Sequence, residues 1–219
     1  LFIMALGPKL DWIKNKKNEL KIRKIILLFL SILISYFIVK NLSYKILYLT
    51  ILISASLYLL FISIIDLKNE KLKSSQKISH LAFSILIISI ILNGIFSEEA
   101  SVNLKSGEEK KISKYLIKFE KISKKNIDNY TSLKAEIQII ENKNSLKFYP
   151  ELRIYKVSET VTSEADIKTS LFNDNLVVAS YLKDTDYLNI RYQKKPFMLL
   201  IWLSAIMLAI GGAFGLRKN

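Results

Sequence analysis

Apolar positions run almost unbroken through four stretches of the chain, at residues 25–39, 46–65, 80–96 and 197–216. A helix needs roughly 20 residues to cross about 30 Å of hydrocarbon, so each stretch is adequate or nearly so. The first lengthens if it continues across Lys40 and Leu42, and the third if it starts at Ile78. Between the third and fourth stretches the period changes to two. Tyr115, Ile117 and Phe119 alternate with Leu116, Lys118 and Glu120. Leu133, Ala135, Ile137 and Ile139 alternate with Lys134, Glu136 and Gln138, and Leu188, Ile190 and Tyr192 repeat the rhythm. This is the pattern of half-buried strands. "ENKN" at 141–144 reads as a hairpin turn, and "LVVAS" at 176–180 as a more buried strand.

The pattern predicts an α-helical membrane protein with about four transmembrane helices, over residues 25–42, 46–65, 78–96 and 197–216. An all-β domain of five or six strands is inserted at residues 97–196. It is expected to be a small antiparallel barrel or sandwich, with an OB-type barrel among the options. The domains expected are therefore 1–96, 97–196 and 197–219.

Composition agrees: 51% of residues are hydrophobic, yet 24% are charged. The net charge of +14 raises a nucleic-acid reading, but its distribution argues against one. Residues 97–196 hold 18 Lys/Arg against 15 Asp/Glu, a balance of only +3. The excess lies at residues 9–24, with seven Lys/Arg, and at 68–77, with four, both beside apolar runs. Arg217 and Lys218 follow the last run. This is a positive-inside pattern: the basic loops face the cytoplasm and residues 97–196 lie outside. No nucleic-acid partner is expected; membrane lipid is.

There is no cysteine and one histidine, His80. Disulfides, structural zinc, Cys-x-x-Cys redox chemistry and multi-histidine metal sites are excluded. A triad hydrolase would need its histidine beside a nucleophile outside the hydrocarbon. No phosphate-binding Gly-x-x-x-x-Gly-Lys-Ser/Thr loop occurs. The chain begins at Leu1, and "LFIMALGPKLDW" reads as the tail of a helix broken at Gly7-Pro8. It is expected to be the C-terminal portion of something longer, without a signal peptide.

Asp66 is read as marking the exit of the second span beside Lys68. Gly211, Gly212 and Gly215 are read as a face for close helix packing, and Trp202 with Tyr192 as an aromatic belt around the last span. His80 carries two readings: an interfacial anchor at the cytoplasmic lip of its helix, or an axial haem donor. Leu81, Phe83 and Ile87 lie on adjacent turns, and small Ala82 and Ser84 would leave room for an apolar macrocycle.

Two long stretches carry a resemblance: "FYPELRIYKVSETVTSEADIKTSLFNDNLVVAS" and "NIRYQKKPFMLLIWLSAIMLAIGGAFGL". Within them stand Tyr149-Pro150-Glu151 ahead of Arg153 and Tyr155, then Thr162, Glu164, Ala165 and Ile167. Asn173-Asp174, Leu176-Val177, Lys195-Pro196, Ile201-Trp202-Leu203 and Gly211-Gly212 follow. Together with "GPKLDW" and "SHLAFSILIISIILNGIFSEE", they resemble the C-terminal end of the CcmF family, the membrane subunit of the bacterial cytochrome c haem lyase. The resemblance implies a multi-pass inner-membrane protein with residues 97–196 in the periplasm. It implies that His80 is an axial ligand of haem b. It also implies that the complex helps attach haem to apocytochrome c, with the chaperone CcmE and CcmH-type subunits as partners. The tryptophan-rich segment, the two exterior histidines and the second transmembrane ligand of the family are absent here, so this segment by itself is not expected to be catalytic. The alternative is a cofactor-free membrane scaffold for a periplasmic complex. A transporter is disfavoured, because no span carries a charge pair or paired breaks.

Overall fold

The computed structural model describes residues 1, 3–4, 22–40, 46–70, 72–142, 144–182 and 185–216. The basic residues 9–21, the "GPKLDW" segment, Leu42, Lys71, Lys143, Arg217 and Lys218 lie outside the described residues. The chain forms two compact units, residues 1–95 with 197–219, and residues 96–196.

The first unit holds α1 (Ile22–Val39), α2 (Ile46–Asp66), α3 (Ser74–Phe96) and α4 (Met198–Leu216). They are 18, 21, 23 and 19 residues long. At 1.5 Å per residue that is about 27 to 35 Å, enough to cross a membrane. All four are long and apolar enough to do so. Helix α1 gains its length upstream of Ile25, through Arg23 and Lys24, because long basic side chains can reach back to the interface. It ends where the Lys40 amide donates to the Tyr36 carbonyl at 2.9 Å. Helix α3 begins at Ser74, a turn before the expected residue 78.

Helix α2 is the most enclosed of the four. Its Tyr58, Leu59 and Ile62 form a buried cluster with Leu27 and Leu28 of α1 and Phe83 of α3. Serines line the packed faces. Ser31, Ser35, Ser54, Ser56, Ser84 and Ser204 are buried, and each hydroxyl donates to a carbonyl three or four residues earlier in its own helix. A small side chain lets helices approach, and the internal hydrogen bond satisfies each of these six hydroxyls in hydrocarbon. Large apolar side chains such as Phe29, Phe37, Leu47 and Ile206 point outward, as lipid contact requires.

The second unit is a β-sandwich of ten strands: β1 (Glu98–Leu104), β2 (Glu109–Ile112), β3 (Tyr115–Asn126), β4 (Tyr130–Glu141), β5 (Asn144–Phe148), β6 (Glu151–Tyr155), β7 (Val161–Glu164), β8 (Asp166–Thr169), β9 (Asn173–Tyr181) and β10 (Leu188–Pro196). One sheet has the order β1-β10-β9-β8. The other has β2-β3-β4-β6-β7, with β5 also paired to β4. All pairings are antiparallel. The alternating residues supply the core: Tyr115, Ile117 and Phe119 from β3, Ala135, Ile137 and Ile139 from β4, Leu188, Ile190 and Tyr192 from β10. Val102, Phe148, Leu152, Val177 and Ala179 complete it.

The expectation of five or six strands is corrected to ten among the described residues. The extra strands are short, and pieces such as "EKKI" and "VTSE" bury nothing fully, so they carry no alternation to read. The ENKN turn is made with Asn142 at a φ of 55°. Asparagine tolerates this left-handed conformation better than most residues.

Candidate functional site

His80 sits six residues past Ser74, more than a turn and a half inside α3 rather than at its lip. Its side chain is half-buried. Two neighbouring faces of α3 are occupied. On one, the glycine-bearing face of α4 lies against Ser75 and Ser79. A Cβ added at Gly211 would collide with Ser79 Oγ and lie 3.1 Å from its amide nitrogen, and one at Gly215 would lie 3.7 Å from Ser75 Cβ. The glycines thus pack helices closely, as expected for Gly211 and Gly215; Gly212 faces open space. On the other, Phe83 enters the α2 cluster.

His80 shares a third face with Ser84 and Ile87, one and two turns on. Ala82 and Ser84 are fully buried, and Ser84 Oγ donates to the Leu81 carbonyl at 2.7 Å. The donor set fits one axial position of a haem: a single imidazole on a helix, beside small and apolar side chains. With one histidine in the sequence, this chain supplies only one such donor. Among the described residues no group of three or more His, Cys, Asp or Glu could hold a metal ion.

Asp66 is the last residue of α2 and is buried. Trp202 is 62% exposed on α4, in keeping with lipid contact. Tyr192 is not part of an aromatic belt. It lies in the sandwich core at 2% exposure, its ring edge-on to Tyr115 at 4.9 Å and its hydroxyl donating to Asn175 Oδ1 at 2.8 Å. An aromatic residue five positions before a span resembles a belt residue; its place in the β10 alternation was the better guide.

Sequence reasoning missed an ionic chain at one end of the sandwich. Lys114 Nζ bridges Glu98 (2.8 Å) and Glu141 (2.9 Å), and Lys194 Nζ reaches the other oxygen of Glu141 at 2.9 Å. Tyr115 Oη donates to Glu98 Oε2 at 2.7 Å. Burial alone would raise both carboxyls. Hydrogen bonds from Lys114 and Tyr115 to Glu98, and from Lys194 and Lys114 to Glu141, outweigh it and hold both below the ordinary range. Burial, reinforced by the repulsion of Glu141 and Glu98, pushes the Tyr192 hydroxyl up to about 12. A cavity of about 400 Å³ beside this chain is lined by Glu141, Asn144, Asn173, Asn175, Tyr192 and Lys194 among others. The one available signal was that Glu98 follows α3 by two residues and Lys194 precedes α4 by four, and they are register partners.

These features define a membrane protein with apolar helices and an all-β domain inserted before the last of them. Residues 95–196 match the family described as "CcmF C-terminal beta-sandwich". The chain is 23% identical over 96% of its length to "Cytochrome c-type biogenesis protein CcmF" of Haemophilus influenzae, covering 35% of that protein. It is 22% identical over 96% to the CcmF of Escherichia coli, covering 34%. The solved structure "Cytochrome c Heme Lyase CcmF" superposes with a TM-score of 0.75 at 12% identity, over 99% of this chain and 38% of that one. The β-sandwich thus matches the CcmF C-terminal model, and the chain as a whole is similar to the C-terminal portion of CcmF proteins. It spans about a third of the length of these relatives.

Proposed function

We propose that this chain forms the C-terminal part of a cytochrome c haem lyase subunit and holds haem b within the membrane through His80. The observation that carries the reading is His80 itself, the sole imidazole, set inside an apolar helix beside two fully buried small residues. Neutral imidazole is a strong axial donor to haem iron, and an ionisable residue inside a span is a functional candidate by default. The bound haem would supply redox chemistry. The chain's own task is to hold one coordination position at Nδ1 or Nε2 and to line that face with Ser84 and Ile87. The second axial donor comes from outside this segment.

The reading extends to topology and partners. The basic segment after α2, with Lys68 and Lys73 in the loop and Lys77 in the first turn of α3, faces the cytoplasm of the bacterial inner membrane, and the sandwich faces the periplasm. There the sandwich would meet the haem chaperone CcmE, CcmH-type subunits and apocytochrome c during covalent haem attachment.

The test is His80→Ala in the complete lyase, with haem content of the purified protein and cytochrome c maturation both measured. Loss of haem with the protein still in the membrane supports the reading. Unchanged haem content and maturation would favour the cofactor-free scaffold instead.

A further inference from the structure

The β8–β9 hairpin ends in a tightly closed turn with an unusual tip. The Ser170 amide donates to the Asn173 carbonyl at 2.9 Å, Ser170 Oγ donates to the same carbonyl at 2.7 Å, and the Asn173 amide donates to Ser170 Oγ at 3.1 Å. This ring leaves two tip residues, Leu171 and Phe172. Turns of this length favour Gly, Asn and Asp. Here the tip holds two large apolar side chains, 74% and 73% exposed. Backbone requirements do not explain them, and packing within the sandwich does not use them.

Their place in the fold suggests what covers them. Strands β9 and β10 stay in register to Asn173 and Pro196, and α4 starts at Met198. Paired Cα atoms lie about 5 Å apart and consecutive ones 3.8 Å. Asn173 is therefore within about 13 Å of the first residue of a membrane-spanning helix, whatever the angle at the joint. The turn at the opposite end of the sandwich, after β6, lies at the far end of the 12-residue β4, whose Tyr130 pairs with Tyr155.

We propose that Leu171 and Phe172 insert into the membrane surface, so that the hairpin tip anchors the β-sandwich to the bilayer. The occupant is lipid: the tip is one strand pairing and two residues from the start of α4, and two apolar side chains match the headgroup–acyl boundary. The nearby charges, Lys168, Asp174 and Lys195, are mixed in sign. Anchoring therefore does not require anionic lipid. The inference is independent of haem binding at His80.

The chain contains no cysteine, so one introduced residue gives a unique label. Phe172→Cys and Val157→Cys are each labelled with an environment-sensitive fluorophore and placed in phosphatidylcholine nanodiscs. Val157 is 97% exposed in the turn after β6 and serves as the distant control. Both sites are on the surface, and matching near-ultraviolet dichroism verifies folding. At an insertion depth of 5–10 Å, a nitroxide high on the acyl chain should quench the Phe172 label by about half and a deep one less. Aqueous iodide should quench it weakly, and the Val157 label should show the reverse. Iodide quenching equal at the two sites overturns the proposal. So does a Phe172 label that is shielded from iodide but insensitive to every lipid nitroxide, since protein would then cover the tip.

Discussion

Tyr115 and Glu98 are joined by a 2.7 Å hydrogen bond from hydroxyl to carboxylate, linking the inner face of β3 to the first residue of β1. The bond crosses from one sheet to the other. Glu98 stands two residues after the end of α3, so this contact ties the sandwich at the point where the chain leaves the helices.

Replacing Glu98 with Gln removes the charge that Lys114 and Tyr115 both address. Hydrogen bonds to charged groups contribute about 1.5–3 kcal/mol, reduced here because Lys114 is partly exposed. A loss of about 1–2 kcal/mol in the sandwich is expected, with a double-mutant cycle against Tyr115→Phe showing coupling. Thermal melting of the single and double variants checks it. Additive losses would mean the bond carries no energy of its own.

The same cluster makes stability depend on pH from both sides. Glu98 and Glu141 are held below the ordinary carboxyl value of 4.5. Their contribution is present above that value and disappears as pH falls through their depressed folded values. The Tyr192 hydroxyl is raised from 10.0 to about 12, so its contribution is complete below pH 10 and is lost as pH rises toward 12. Melting temperature should therefore be flat near neutrality and fall at both extremes. Tyr192→Phe should weaken the alkaline limb, and tyrosinate absorbance should show both Tyr192 and Tyr115, the latter raised by burial and its bond to Glu98, ionising late.

Gly211 meets Ser79 of α3 at a distance that admits no Cβ. Gly211→Val must therefore push α3 and α4 apart, with a cost of about 1–3 kcal/mol typical of overpacking. Because Ser79 adjoins His80, the variant should also lower haem occupancy, whereas Gly212→Ala, facing open space, should not. Haem-to-protein ratios of the two purified variants settle the difference.

Ile137 is fully buried at the middle of the sandwich core. Ile137→Ala should cost about 2–5 kcal/mol through lost burial and a residual cavity. The loss should appear in the melting of the β-sandwich while the helical signal persists, because the two units are separately compact.

The sequence made the architecture legible wherever burial imposed a period. The alternations in β3, β4 and β10 named core residues correctly, since one face of each strand is buried and the other is wet. The four apolar runs were legible because hydrocarbon tolerates few charges over so long a stretch. The short strands β2, β7 and β8 were not, because their pairing is supplied by neighbours rather than by their own pattern. The start of α3 was hidden by "SSQK", whose polar residues sit on a helix that continues beyond its apolar part. His80 was visible at once as the sole imidazole, but its neighbours were not: the Gly211–Ser79 approach joins residues more than a hundred positions apart. The ionic chain around Glu141 was equally invisible, since its members come from β1, the β2–β3 turn, β4 and β10.

The measurement that bears most directly on the central claim is the visible spectrum of the His80→Gly lyase, recorded with and without added imidazole. Ligation through His80 predicts loss or a marked shift of the haem b bands in the variant, and their return when free imidazole fills the vacated position. A spectrum and haem content identical to the unmodified protein would contradict it.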